Sequence, residues 1–203
     1  VKGVRVATSG RSIELDSGAM KLTLDRARFE PFAKLTVGAR DCSAPGALTV
    51  VDSEGRVFTS ANLAPDEMVV EESGPVRATV RIRGAFADSA GTAWMRYLCR
   101  LHVVAGQTSA RLEVTFENSE LKPKMSLVSR LELPLGFQGM TGIDAGQDLC
   151  KAILQDYDNR FLVDGQSRDG RAPGYCRVAC AGGGALVAIR DFWQLYPKGF
   201  QAD

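Results

Sequence analysis

Val76-Arg-Ala-Thr-Val-Arg-Ile-Arg-Gly-Ala-Phe86 alternates apolar and polar side chains, with Val76, Ala78, Val80, Ile82 and Phe86 on one face. Successive side chains of an extended chain point to opposite faces, so this alternation predicts a half-buried strand. Asp88-Ser-Ala-Gly91 has turn chemistry, and from Ala93 to Val104 the alternation resumes. Met95, Tyr97, Cys99, Leu101 and Val103 face one way, and Arg96, Arg100 and His102 the other. Gly106 permits a second tight turn, after which Leu112, Val114 and Phe116 supply a third apolar row. The three runs predict an antiparallel meander.

The turns suggest a register. With Phe86 opposite Ala93, Ile82 meets Tyr97 and Val80 meets Cys99; with Val104 opposite Ser109, Leu101 meets Leu112 and Tyr97 meets Phe116. Both pairings keep apolar with apolar, which a one-residue slip destroys. The outer face then carries Arg77, Arg81, Arg83, Arg96, Arg100, His102 and Arg111, with Glu113 and Glu117 as its acids. This basic stripe is the most informative feature of the sequence. Arg100 faces Glu113 and Arg96 faces Glu117 in that register, as cross-strand ion pairs on a solvated face. Arg77 and Arg111 flank His102 without an acid partner, which fits a ligand site or a contact with another domain.

Outward from the meander, the same rhythm recurs. Val1–Ser9 and Ser12–Asp16 form a hairpin around Ser9-Gly10-Arg11, and Met20–Asp25 alternates with Met20, Leu22 and Leu24 inward. Leu35–Val37 resumes after a break, and Leu48–Asp52 and Val57–Ser60 close through Asp52-Ser-Glu-Gly55. Met68–Glu72 leads through Ser73-Gly-Pro75 into the meander. Beyond it, Ser126–Leu133 places Leu127, Ser129, Leu131 and Leu133 on one face, while Pro134–Gly146 has short strand character at best. Leu149–Gln155 and Phe161–Val163 flank a Tyr157–Arg160 turn, and Asp164–Gly174 reads as a polar loop. Tyr175–Ala181 and Ala185–Ile189 form a hairpin through Gly182-Gly-Gly184 before the aromatic tail Arg190–Lys198. No amphipathic helix longer than two turns is evident. The prediction is an all-β chain of some twelve to sixteen short strands, a single large antiparallel β-sandwich domain over residues 1–203.

Composition limits the function classes. Hydrophobic residues make up 45% and charged residues 24%, ordinary for a globular protein, and the net charge of +1 provides no global attraction to nucleic acid or membrane. No apolar run approaches the roughly 20 residues of a membrane span. Val1 opens a strand pattern and not a charged, then apolar leader, and a first residue other than Met suggests a segment of a longer chain. The five cysteines (Cys42, Cys99, Cys150, Cys176, Cys180) sit mostly within strand patterns, without the histidines a zinc site wants; buried free thiols fit, with an inter-strand disulfide as the alternative. Nor is there a phosphate loop, since Gly182-Gly-Gly184 lacks the Lys and Ser/Thr that such a loop needs. No cofactor is expected.

Three stretches together carry a family resemblance: Ser73-Gly-Pro-Val-Arg-Ala-Thr-Val-Arg81, Arg96-Tyr-Leu-Cys-Arg-Leu-His-Val-Val-Ala-Gly106, and Val187-Ala-Ile-Arg-Asp-Phe-Trp-Gln-Leu-Tyr-Pro-Lys-Gly-Phe200. Their order and spacing, with Ile13-Glu-Leu-Asp-Ser-Gly-Ala-Met20, resemble the exo-rhamnogalacturonan lyases of polysaccharide lyase family 26. The resemblance implies a central β-sandwich of the galactose-mutarotase-like supersandwich type, placed between an N-terminal β domain and a C-terminal (α/α) toroid. It further implies an acidic polysaccharide or oligosaccharide as partner, neighbouring domains of the same chain as contacts, and a secreted or periplasmic location.

Lysis of a uronate by β-elimination requires neutralisation of the carboxylate, a base for the C5 proton and an acid for the leaving oxygen. His102, the one histidine, and Arg100 on the same strand face are the candidate catalytic pair; Arg77 and Arg111 are candidate carboxylate binders. In the tail, Trp193 and Tyr196 offer faces on which sugar rings stack, and Arg190 and Lys198 offer cations for a carboxylate. The bland reading of the tail is packing of its aromatics against another domain. A non-catalytic module that binds carbohydrate or braces neighbouring domains is the competing function. Sugar epimerisation fits less well, because it resembles a paired His and Glu chemistry.

Overall fold

A computed structural model describes residues 3–119, 126–146, 149–180 and 183–202. Among the described residues there is no helix; all strand pairings are antiparallel, and the chain divides into two compact units, residues 1–136 and 137–203. The sequence reading expected one sandwich domain throughout.

In the first unit, β1 (Arg5–Thr8), β2 (Ser12–Asp16), β3 (Met20–Asp25), β4 (Leu35–Val37) and β5 (Arg40–Asp41) form a five-stranded sheet in sequence order. The second sheet contains β6 (Thr49–Asp52), β7 (Val57–Thr59), β8 (Glu67–Ser73), β9 (Arg77–Ala87), β10 (Ala93–Val104), β11 (Ala110–Glu117) and β12 (Val128–Glu132). Its order is β11-β10-β9-β7-β6-β12, with β8 also paired to β9. Inward rows from the two sheets meet in one hydrophobic cluster: Ile13, Leu15, Leu22 and Leu24 from the first, and Val80, Ile82, Tyr97, Leu101 and Val103 from the second. This is a β-sandwich. A polar tie joins the sheets at one end, where Ser17 Oγ donates to the Gln107 carbonyl at 2.7 Å and the Gly106 N–H donates to the Ser17 carbonyl at 2.7 Å.

The meander forms with the inward and outward faces expected, except that Val76, before the start of β9, and Val114 on β11 are exposed. The β10–β11 register is also as expected, with Leu101 opposite Leu112, Tyr97 opposite Phe116 and Arg100 opposite Glu113. The β9–β10 register differs. Phe86 faces Trp94 at the hairpin end, and beyond a bulge at Met95 (φ 59°) Ile82 faces Cys99 and Val80 faces Leu101. The turn accounts for one residue of the shift and the bulge for the second. Two residues preserve the faces, so the inward side chains from Ala78 to Phe86 and from Met95 to Val103 stay inward while their partners change. Trp94, next to the bulge, also packs on the core, 4.9 Å from the Phe58 ring.

Strand β12 departs from its alternating pattern. A bulge between Val128 and Arg130 directs Ser129 Oγ to the carbonyls of Val51 and Asp52, at 3.1 and 2.9 Å. Leu127 and Leu131 are exposed, and only Leu133 of the expected apolar row packs on the core.

The second unit contains β13 (Met140–Asp144), β14 (Ala152–Tyr157), β15 (Arg160–Val163), β16 (Gln166–Asp169), β17 (Tyr175–Cys180), β18 (Gly183–Ala188) and β19 (Lys198–Gln201). These make a three-stranded sheet, β13-β17-β18, and a four-stranded one, β16-β15-β14-β19. Ile143, Ile153, Val178, Phe192 and Phe200 form their core. Two strands appear where the sequence reads as loop and tail. The first, β16, is exposed throughout and thus carries no alternation; the second, β19, is set by its pairing with β14. The Gly182 turn of the expected last hairpin lies outside the described residues.

All five cysteines are free, with Cys99, Cys150 and Cys176 buried. Burial pushes the Cys99 thiol up to about 12 and the Cys176 thiol to about 11, so neither supplies a thiolate at neutral pH.

Candidate functional site

The outer face of the meander is built by alternation: each odd residue of β9 and each even residue of β10 that faces away from the core stands on it. Antiparallel pairing brings His102 opposite Thr79 on one side and Arg111 on the other. Arg77 lies opposite Val104, not beside His102 as the sequence register had it. The two-residue shift, one residue from the turn and one from the bulge, is the reason.

Strand β8 changes the electrostatics of this face. The Gly74-Pro75 turn folds it back on β9, with Ser73 opposite Ala78 and Glu67 opposite Arg83. Its acids bind arginines of this face. Arg100 makes a two-pronged contact with Glu71, Nε to Oε2 at 2.7 Å and Nη2 to Oε1 at 3.0 Å. Arg81 bridges Glu67 at 2.6 Å and Glu71 at 3.0 Å, and Arg77 binds Glu72 at 2.7 Å. Arg96 pairs with Asp66, Arg83 with Glu117 at 3.6 Å, and Arg111 with Glu113 at 2.7 Å.

Six arginines therefore meet six carboxylates, and the expected cationic stripe is a charge-balanced ladder. Arg77 and Arg111 do have acid partners. Arg100 and Arg96 face Glu113 and Glu117 as expected, yet their ion pairs go to Glu71 and Asp66. The Arg100 guanidinium holds the Glu71 carboxyl below the usual range, and the Arg77 guanidinium does the same for Glu72. The missed signal was legible: Asp66-Glu-Met-Val-Val-Glu-Glu72 is an acidic run one tight turn before a basic strand.

Within the ladder lies a shallow depression of about 410 Å³, lined by Glu71, Glu72, Arg77, Thr79, Arg100 and His102. Three sequence-predicted residues, Arg77, Arg100 and His102, thus share one wall. The His102 side chain is 16% exposed; its Nδ1 is 3.0 Å from Thr79 Oγ1, and its Nε2 lacks a hydrogen-bond partner, with Glu113 Oε2 at 3.6 Å. Arg77 and Arg100 each spend an Nε-side edge on a glutamate, which leaves the Nη1 side of each guanidinium for another acceptor. Nε2 itself is buried, and what the depression offers directly is a place for an anion between the Arg77 and Arg100 guanidinium groups. Arg111, bound to Glu113, is not among its lining residues.

The tail candidates belong to the second unit and form a separate group. Lys198 Nζ donates to the carbonyls of Arg190 and Asp191, at 3.1 and 2.9 Å, and so braces the tail. The Arg190 side chain is exposed, 3.6 Å from Asp191. The Arg171 guanidinium caps the Trp193 ring at 3.7 Å, a cation–π contact that covers one ring face. Tyr196 stacks on Tyr157 at 5.6 Å, with Arg160 over Tyr157. Phe192 is core, stacked on Phe200. The Tyr157 turn therefore belongs to the aromatic group, a role its turn chemistry did not disclose.

A comparison with protein-family models matches residues 4–131 to the model described as "PcRGLX-like protein central beta sandwich domain". The matched residues nearly coincide with the first unit and contain the whole ladder. No curated protein matches the chain.

Proposed function

The chain belongs to the family of PcRGLX-like central beta sandwich domains, and from that premise we propose that it forms one wall of the substrate cleft of a polysaccharide lyase. The substrate class is a rhamnogalacturonan or another pectin-type uronate polymer, cleaved by β-elimination. The observation that carries the reading is a depression lined by Arg77, Arg100 and His102, the last with a buried Nε2 that has no hydrogen-bond partner. In this proposal the free guanidinium edges take the uronate carboxylate and lower the cost of the charge that develops on it. A rotation of the imidazole exposes Nε2, which accepts the C5 proton; the C4–C5 double bond forms as the C4–O4 bond breaks, and the leaving oxygen takes a proton from an acid on the opposite cleft wall. Neighbouring domains of the parent chain supply that wall, and Trp193 and Tyr196 remain candidate sugar contacts of the second unit. A galactose-mutarotase-like kinship of the scaffold fits the same reading.

Incubation with rhamnogalacturonan oligosaccharides tests it, with the ultraviolet absorbance of an unsaturated product as the readout. His102→Ala is expected to lower the rate by about 10²-fold or more. A second reading is favoured by one observation, that each arginine of the face already has a carboxylate partner. In that reading the face is a non-catalytic surface that binds carbohydrate or braces adjacent domains. Saccharide binding without product, from the parent chain as well as from this segment, selects it.

A further inference from the structure

Thr79 is only 3% exposed although it stands on the outer face, because Glu72 and His102 cover it from the strands on either side. Its single hydroxyl proton has two claimants. Thr79 Oγ1 lies 3.1 Å from Glu72 Oε2 and 3.0 Å from His102 Nδ1. Glu72 also accepts from Arg77 Nε at 2.8 Å, and that guanidinium keeps its carboxyl ionised to below the usual range. An ionised carboxylate only accepts, so the Thr79 hydroxyl donates to Glu72. The remaining Thr79 lone pair then requires a donor, and His102 Nδ1–H is the one in reach.

A neutral imidazole carries one N–H, so a proton on Nδ1 leaves the lone pair on Nε2. The opposing influence is Glu113, whose Oε2 at 3.6 Å from Nε2 favours a proton there, although Glu113 is itself engaged by Arg111 at 2.7 Å. The charged groups around the ring are thus Glu72 and Arg77 from β8 and β9, Arg100 on its own strand, and Arg111 and Glu113 from β11.

We propose that Glu72 and Thr79 are positioning residues that hold His102 as the Nδ1–H tautomer, which leaves the lone pair on the buried, unpartnered Nε2. The inference rests on the reading of His102 as the base, because the opposite tautomer has a donor where the uronate C5–H must arrive.

His102 is the only histidine of the chain, so a two-bond ¹H–¹⁵N correlation spectrum of uniformly ¹⁵N-labelled protein contains one imidazole. At a pH where the ring is neutral, the pyrrole-type signal is expected from Nδ1 and the pyridine-type signal from Nε2. Thr79→Val keeps the side-chain shape and removes the hydroxyl; it should lose the Nδ1–H pattern in favour of Nε2–H, while Thr79→Ser retains the pattern. Glu72→Met, on the solvent side, keeps the side-chain length, removes the acceptor and so frees the hydroxyl; it should give a mixture of the two forms, which keeps the test decisive if the valine variant does not fold. An Nε2–H pattern in the unaltered protein, or an Nδ1–H pattern that survives both Thr79→Val and Glu72→Met, overturns the proposal. The spectra do not depend on turnover. An Nδ1–H ring in a protein whose product formation survives His102→Ala would end the lyase role of His102 and leave the relay standing; the reverse outcome would do the opposite.

Discussion

Gly84 sits opposite Tyr97, and a Cβ at that position would overlap the tyrosine hydroxyl and ring. Tyr97 is 1% exposed and packs between Phe29 and Phe86, so its ring has little room to yield. Gly84→Ala should cost about 1–3 kcal/mol as overpacking, read from the urea midpoint. Tyr97→Phe in the same background should return part of that, since it removes the atom in conflict. An unchanged midpoint in Gly84→Ala would mean that the ring moves freely. At this scale the sequence was partly legible. That Tyr97 points inward follows from alternation alone; that it lies over Gly84 and not beside Ile82 depends on the turn and on the bulge at Met95, for which a two-residue period has no signal.

Among the elements, β8 and β12 are instructive. The short turn before Arg77 makes β8 the neighbour of β9, and its acids bind Arg77, Arg81 and Arg100. Because Glu71 and Glu72 have folded-state values below their unfolded ones, their contribution is present above the unfolded range near ~4 and lost as pH falls through the depressed values. The denaturant midpoint should therefore hold steady from neutral pH to about 5 and decline below roughly 4. Glu72→Gln should decline less over that window; a midpoint flat into strong acid would show that the ladder does not stabilise the fold. On β12, Leu131 is 47% exposed at the end of the sheet order. Leu131→Lys should leave stability within about 0.5 kcal/mol and reduce self-association, measured by light scattering. A loss as large as that of a core leucine would show that Leu131 is covered in solution.

For the whole molecule, the two units have separate hydrophobic clusters with no residue in common. Separate cores lead us to expect two unfolding transitions by calorimetry. Leu101→Ala should lower one of them, and Ile153→Ala the other, each by about 2–5 kcal/mol. A single transition moved equally by both substitutions would argue for one cooperative domain over the full chain. The family match falls on the first unit, which is where the proposed site also lies.

By itself, the sequence determined the class of fold, the faces of the meander and the family, because alternation, turn residues and motif order are local properties that survive any register. Only the tertiary structure decided which carboxylate neutralises which arginine, that Thr79 stands between Glu72 and His102, and that β19 closes a sheet. Those pairings join residues distant along the chain, and their geometry follows from bulges and neighbouring strands that no single run of residues encodes.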